Sequence, residues 1–121
     1  MALGVIVAAL YGALAVIMGA FAAHGLKGTL SAESLAVLQT AVHYQFFHAL
    51  ALLLVVIYGV HRPCAILRYS AVFFGLGVLL FSGSLYALVL SPFKPGIITP
   101  IGGSLLILGW LALGYSAWRA K

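Results

Sequence analysis

Four long apolar stretches, separated by charged residues, run the length of the chain. The stretches without lysine, arginine, aspartate or glutamate are residues 1–26, 34–61, 69–93 and 95–118. A helix that crosses a bilayer core about 30 Å thick needs roughly 20 apolar residues, so each stretch can cross once and is too short to cross twice. The pattern therefore predicts four transmembrane helices. Their approximate bounds are residues 3–24, 42–61, 67–90 and 100–118.

Residues that favour helix ends stand between these stretches. Gly25 follows the first stretch, and glycine is the usual residue just past a helix C-terminus. Ser31 is a good N-cap for the second helix, and Glu33 suits the positive end of that helix. Pro63 fits the first turn of the third helix, where its missing N–H costs nothing, and Thr99 is expected to cap the fourth helix.

The second helical segment is too long for a simple crossing. Residues 32–61 in one helix would form a rod of about 45 Å, at 1.5 Å per residue. Either this helix tilts and protrudes, or residues 31–41 form a separate short helix near the membrane interface. The separate helix is favoured because Glu33, Gln39 and Thr40 make the first part of the segment polar.

The composition agrees with a chain that is surrounded by lipid. Apolar residues make up 65% of the 121 residues and charged residues only 6%, whereas soluble domains have roughly 45–50% and 25%. A water-facing surface needs far more charge than this. The sequence therefore predicts one all-α integral membrane domain, residues 1–121, folded as a four-transmembrane-helix bundle.

The basic residues are spread along the chain, where a nucleic-acid site would cluster them on one face, so we predict no nucleic-acid partner. They are Lys27, Arg62, Arg68, Lys94, Arg119 and Lys121. Four of the six fall in the loop between the second and third spans or at the C-terminus, on one side of the membrane. Because lysine and arginine are in excess on the cytoplasmic side, we expect both termini in the cytoplasm.

Small residues recur within the spans, and such residues let transmembrane helices approach closely. The glycines expected to serve helix packing are Gly12, Gly19, Gly75, Gly83, Gly102, Gly103 and Gly109. We expect them to line contacts inside the bundle. The same rows could equally form the interface of a homo-oligomer.

Polar side chains inside the spans are the candidates for a functional site. They are His24, Gln39, His43, Tyr44, Gln45, His48 and Ser84. Polar groups on a lipid-crossing helix are expected to face the bundle interior. There they either fix the packing through interhelical hydrogen bonds, or form a small site for a metal, a proton or a polar ligand. His24 could approach His43 only if residues 31–41 lie flat.

Catalysis and cofactor binding find little support in the sequence. Glu33 is the only acid, so no Ser/His/Asp set or acid–base pair can be assembled. His43 and His48 are five residues apart and do not share a helix face. The sequence therefore identifies no particular metal, and no cofactor is predicted. Cys64 is a single cysteine and allows no internal disulfide. We predict that the protein is not an enzyme.

Several short motifs resemble those of a known family. They are GAFAAHGLK at 19–27, TAVHYQ at 40–45 with HA at 48–49, FSGSLY at 81–86, and TPIGG at 99–103 with GW at 109–110. Together they resemble the domain-of-unknown-function family that includes the bacterial inner-membrane protein YgdD and animal transmembrane protein 256. The resemblance covers nearly the whole chain. It implies a four-span protein of the bacterial inner membrane and implies no reaction.

These observations favour a small multi-pass inner-membrane protein that acts as a non-catalytic structural or partner-binding subunit. Its partners would be the lipid bilayer and either a second copy of the chain or another membrane protein. Two alternatives remain open. One is a small transporter or channel, and the other is a sensor of a metal or small ligand that uses the membrane-embedded histidines.

Overall fold

The chain folds into four long helices. The computed structural model describes residues 1–26 and 28–120. Its helices are α1 (Ala2–Ala20), α2 (Ala32–His61), α3 (Ala65–Leu90) and α4 (Ile98–Arg119), and a π-helical turn, Phe21–Gly25, continues α1. All four are long and apolar enough to cross a membrane. The protein is therefore an all-α integral membrane protein, as the sequence predicts.

The separate interfacial helix expected at residues 31–41 is not formed, because Ala32–His61 is one continuous helix. Ser31 caps it as predicted, with its Oγ accepting a hydrogen bond of 3.1 Å from the Ser34 N–H. The polar residues do not break the helix, and the Thr40 hydroxyl donates to the Ala36 carbonyl within it. At about 45 Å, α2 is about 15 Å longer than the bilayer core is thick. The helix must therefore tilt or extend beyond the hydrocarbon region.

Two other predicted helix starts differ from the structure. The third helix begins at Ala65, with Cys64 as its N-cap, so Pro63 lies just outside it. The fourth begins at Ile98, with Ile97 as its N-cap. The Thr99 hydroxyl bonds instead to the hydroxyl of Ser84 on α3. Thr99 therefore joins two helices and does not cap one.

The central pair of the bundle is α2 and α3, while α1 packs mainly on α2 and α4 mainly on α3. The central helix α2 is also more buried than the outer helices. In the most apolar 18-residue stretch of each helix, 39% of α2 is buried, against 17% in both α1 and α4. The core includes Leu52 and Val55 from α2, Phe74 from α3 and Leu106 from α4. The outer helices thus leave most of their surface for lipid or for a partner.

Helices α3 and α4 approach each other closely at two glycines of α4. A Cβ on Gly102 would collide with the backbone at Leu80 and Phe81. A Cβ on Gly109 would lie 2.6 Å from the Phe74 ring. These two glycines therefore serve packing as predicted, while Gly103 would only reach ordinary contact, at 3.5 Å from Phe81.

The other glycines predicted to serve packing differ in what an added side chain would meet. A Cβ on Gly19 would lie 3.4 Å from Val42, across α1 and α2. A Cβ on Gly12, Gly75 or Gly83 would meet no described atom within 4 Å, so close helix contact inside the bundle does not require glycine there. Their place in a homo-oligomer interface stays a prediction. Two glycines outside the predicted set lie in tighter places: a Cβ on Gly4 would lie 2.5 Å from Val56, and a Cβ on Gly77 would lie 2.6 Å from Leu106.

Candidate functional site

Gln45 on α2 connects three helices through its side-chain amide. Its Nε2 donates to the Tyr11 carbonyl of α1 at 2.8 Å, and its Oε1 accepts from the Tyr86 hydroxyl of α3 at 2.5 Å. The Tyr11 hydroxyl in turn donates to the Gly75 carbonyl of α3 at 2.7 Å. Gln45 is 4% exposed. Both ends of its amide are therefore used inside the bundle.

His48, one turn further along α2, is fixed by two hydrogen bonds that determine its tautomer. Its Nδ1 lies 2.7 Å from the Tyr44 carbonyl, which can only accept, and its Nε2 receives the Trp110 indole N–H at 3.0 Å. The proton is therefore on Nδ1, and the imidazole is neutral. Phe74 packs against both rings, at centroid distances of 5.6 Å from His48 and 5.1 Å from Trp110. This contact joins α2 to α4 beside α3.

Three hydroxyl groups of α3 join it to its neighbours. The pairs are Ser70 Oγ with the Gly109 carbonyl at 2.8 Å, Ser82 Oγ with the Ala41 carbonyl at 2.8 Å, and Ser84 Oγ with Thr99 Oγ1 at 2.6 Å. Among residues 1–26 and 28–120, no buried side-chain nitrogen or oxygen lacks a partner. The predicted candidates Gln45, His48 and Ser84 thus take part in interhelical hydrogen bonds.

The remaining candidates are exposed in this structure. The prediction that the polar stripe of α2 faces the interior is wrong for Gln39 and His43, which are exposed. Tyr44 is 43% exposed, but its ring packs on Phe81 of α3 at a centroid distance of 4.9 Å. The buried face of α2 carries Ala41, Gln45 and His48 instead. The spacing of these residues, four and then three apart, follows one face of a helix, and Gln39 and His43 lie on another.

Gln39 and His43 border a groove between the end of α1 and the first half of α2. This α1–α2 groove has a volume of about 220 Å³, and its other lining residues are Gly19, Ala22, Ala23 and Val42. His24 is exposed in the π-helical turn and is not among the lining residues. Within the described part of the chain, no three His, Cys, Asp or Glu residues lie close enough to hold a metal ion.

The sequence interpretation missed several residues of the hydrogen-bond network. They are Tyr11, Ser70, Tyr86, Thr99 and Trp110. Tyr86, Thr99 and Trp110 stand in the motifs that resemble the family, but the motifs give them no role. Tyr11 could have been noticed as a hydroxyl-bearing side chain in the middle of an apolar span.

A family model described as "Protein of unknown function (DUF423)" matches residues 18–103. The chain belongs to this family. A UPF0382 membrane protein of Haemophilus influenzae is 43% identical over 114 residues, which cover 93% of this chain and 91% of the relative. A UPF0382 membrane protein of Staphylococcus aureus is 45% identical over 115 residues, covering 93% of both.

Another relative, the UPF0382 inner membrane protein YgdD of Escherichia coli K12, is 40% identical over 117 residues, or 96% of this chain and 89% of that protein. No solved structure matches the chain. The resemblance seen in the sequence motifs is thus confirmed, and the DUF423 protein described here is a membrane protein. The name of the E. coli relative supports the bacterial inner membrane as its location.

Proposed function

We propose that this protein is a non-catalytic structural subunit of the bacterial inner membrane that associates with a second copy of itself through the α1–α2 groove. One observation carries the proposal. The buried polar side chains are hydrogen-bonded within the bundle, whereas Gln39 and His43 are exposed beside a surface of small residues. In a membrane, an uncovered polar side chain is costly, and a neighbouring helix can satisfy it.

A second copy suits this surface because the interface of a symmetric dimer must be complementary to itself. The amide of Gln39 has N–H donors and an acceptor oxygen, and the two ring nitrogens of His43 can also take part in hydrogen bonds. They lie one helical turn apart, so each can pair with the same residue of a parallel partner at the same depth. Gly19 and Ala23, which also line the groove, would allow the backbones to approach closely.

The buried polar residues support a non-catalytic role over transport. They are Gln45, His48, Ser70, Ser82, Ser84 and Ser116. The glutamine and the serines carry no charge, and His48 is bonded as a neutral imidazole. Each of the six makes a hydrogen bond within the bundle. A proton-coupled carrier uses an embedded charged group on its pathway, and the only acid, Glu33, lies in the first turn of α2.

We further propose that both termini lie in the cytoplasm. Arg62 and Arg68 flank the start of α3, and Arg119 ends α4. Lys121 follows in the sequence, which makes four basic residues in the segment between α2 and α3 and at the C-terminus, whereas the sequence between the other spans holds two, Lys27 and Lys94. The larger number marks the cytoplasmic side.

Cysteine crosslinking in native membranes tests the dimer. With Cys64 replaced by serine, we expect H43C to form a covalent dimer on mild oxidation, because the Cα atoms must come within about 7 Å for a disulfide to form. The matched control is I107C, since Ile107 is 61% exposed on α4 and lies away from the groove. This control should remain monomeric.

A second measurement tests whether the polar groups drive association. The double variant Q39L/H43L should lose co-purification of two differently tagged copies, while the same histidine change at the far end of α2, H61L, should retain it. Equal crosslinking of H43C and I107C, or none at either position, would contradict the proposal. A crosslink from H43C to a different protein would show that the groove binds another partner and would contradict association with a second copy.

A further inference from the structure

A second surface lies at the opposite end of α2 and is independent of the proposed dimer. It is a cleft of about 470 Å³, formed where α2 and α4 end and α3 begins. Three side chains that can carry positive charge, His61, Arg62 and Arg119, line it. We call this surface the basic cleft.

Among the side chains that the structure describes, no acid lies near the basic cleft. The only acid in the chain is Glu33, in the first turn of α2, while the cleft lies at the other end of that helix. At 1.5 Å per residue, the two ends are about 40 Å apart. This separation is several times the Debye length of about 8 Å at physiological ionic strength, so Glu33 cannot neutralise the cleft.

The arginines have donors available for an anion. Arg62 uses one N–H to bond the Ala120 carbonyl at 3.3 Å, and the guanidinium has five N–H donors in all. That bond also occupies a carbonyl at the negative end of α4, which would otherwise repel an anion. Arg119 is exposed in the last turn of α4. Planar guanidinium groups suit bidentate binding of phosphate oxygens.

The first turn of α3 adds to this preference. Ala65 and Ile66 line the basic cleft, and their N-cap residue, Cys64, makes no side-chain capping bond. The backbone N–H groups at a helix N-terminus are therefore left for another acceptor, and they favour negative charge. The N-terminus of α3 thus opposes the partial negative charge at the C-terminal ends of α2 and α4, and the two arginines make the cleft basic.

The surroundings of the cleft indicate a lipid headgroup as the source of the anion. Tyr115 and Trp118, beside Arg119 on α4, are 50% and 67% exposed, with ring centroids 6.1 Å apart. Exposed aromatic residues near span ends mark the level of the headgroups. Tyr58 and Ile66 give the cleft an apolar wall, against which a glycerol backbone and the start of an acyl chain can pack.

We propose that the basic cleft binds the phosphate group of an anionic phospholipid, with Arg62 and Arg119 as its principal donors. A basic pocket between helices at a membrane interface is suited to this ligand. The proposal does not depend on self-association, because the α1–α2 groove lies at the other end of α2.

Native mass spectrometry of the full-length protein tests this site. Phosphatidylglycerol is titrated into the detergent-solubilised protein, and phosphatidylcholine and inorganic phosphate serve as comparison probes. We expect wild type to retain phosphatidylglycerol in preference to phosphatidylcholine. The R119Q variant should bind it about tenfold more weakly, the loss expected for one charge-assisted hydrogen bond. R119K should recover part of the affinity.

The control is R68Q, which removes the same charge from the same end of the bundle. Arg68 lines a neighbouring cleft with Val60 and Ala71 and is not among the lining residues of the basic cleft. Unchanged binding by R68Q supports the proposal. Equal weakening by R68Q and R119Q would overturn it, because binding would then follow total charge. Equal retention of phosphatidylcholine, or competition by inorganic phosphate as strong as that by lipid, would overturn the assignment to an anionic lipid.

Discussion

Replacing Gly102 with alanine is expected to lower the free energy of unfolding by about 1–3 kcal/mol, the usual range for overpacking a tight contact. The new Cβ would collide with the backbone of α3 at Leu80 and Phe81. A backbone cannot move aside as a flexible side chain can, so α3 and α4 must separate. The separation would also weaken the nearby hydrogen bond between Ser84 and Thr99.

The neighbouring Gly103 provides a matched control. A Cβ there would lie 3.5 Å from the Phe81 ring, an ordinary contact, and alanine is favoured over glycine in a helix by up to about 1 kcal/mol. We therefore expect G103A to be neutral or slightly stabilising. The measurement is unfolding by SDS titration in mixed micelles. Equal stability of G102A and G103A would refute the close contact of α3 with α4.

The change from Gln45 to leucine is expected to lower the free energy of unfolding by about 2 kcal/mol, from two interhelical hydrogen bonds of roughly 1 kcal/mol each. Leucine has a similar volume, so the loss reflects the missing amide and not a cavity. The Tyr86 hydroxyl and the Tyr11 carbonyl would both lose their side-chain partner. The effect should appear in the same SDS titration.

Two further variants separate the hydrogen bonds from general effects of the substitution. Gln39 lies on the same helix but is exposed, so Q39L should leave the stability of the monomer unchanged. The double variant Q45L/Y86F should be less destabilised than the sum of Q45L and Y86F, because both remove the same bond. If Q45L were as stable as Q39L, the central role of Gln45 would be wrong.

The sequence determined the membrane-spanning architecture. Helix number and length follow from hydropathy and bilayer thickness, because a span must satisfy its backbone hydrogen bonds internally and be long enough to cross. The four predicted spans each lie largely within one helix of the structure. The N-cap of α2 was also predictable, because Ser31 bonds the N–H of a residue only three positions away.

The inward face of each helix was decided only by the tertiary structure. In water, an apolar stripe marks the buried face, but in lipid both the inward and outward faces are apolar, so this signal is weak. Gln39 and Gln45 illustrate the consequence. Both are glutamines of α2, yet Gln39 is exposed, whereas Gln45 is buried at a junction of three helices.

The same limit applies to the glycines and to the partners in the hydrogen-bond network. Nothing in the sequence distinguishes Gly102, which touches the backbone of α3, from Gly83, which has open space beside it. The Trp110–His48 bond joins residues 62 positions apart. Local sequence fixes helices because their hydrogen bonds are local. The rotation of each helix depends on long-range packing and hydrogen bonds, which only the assembled bundle specifies.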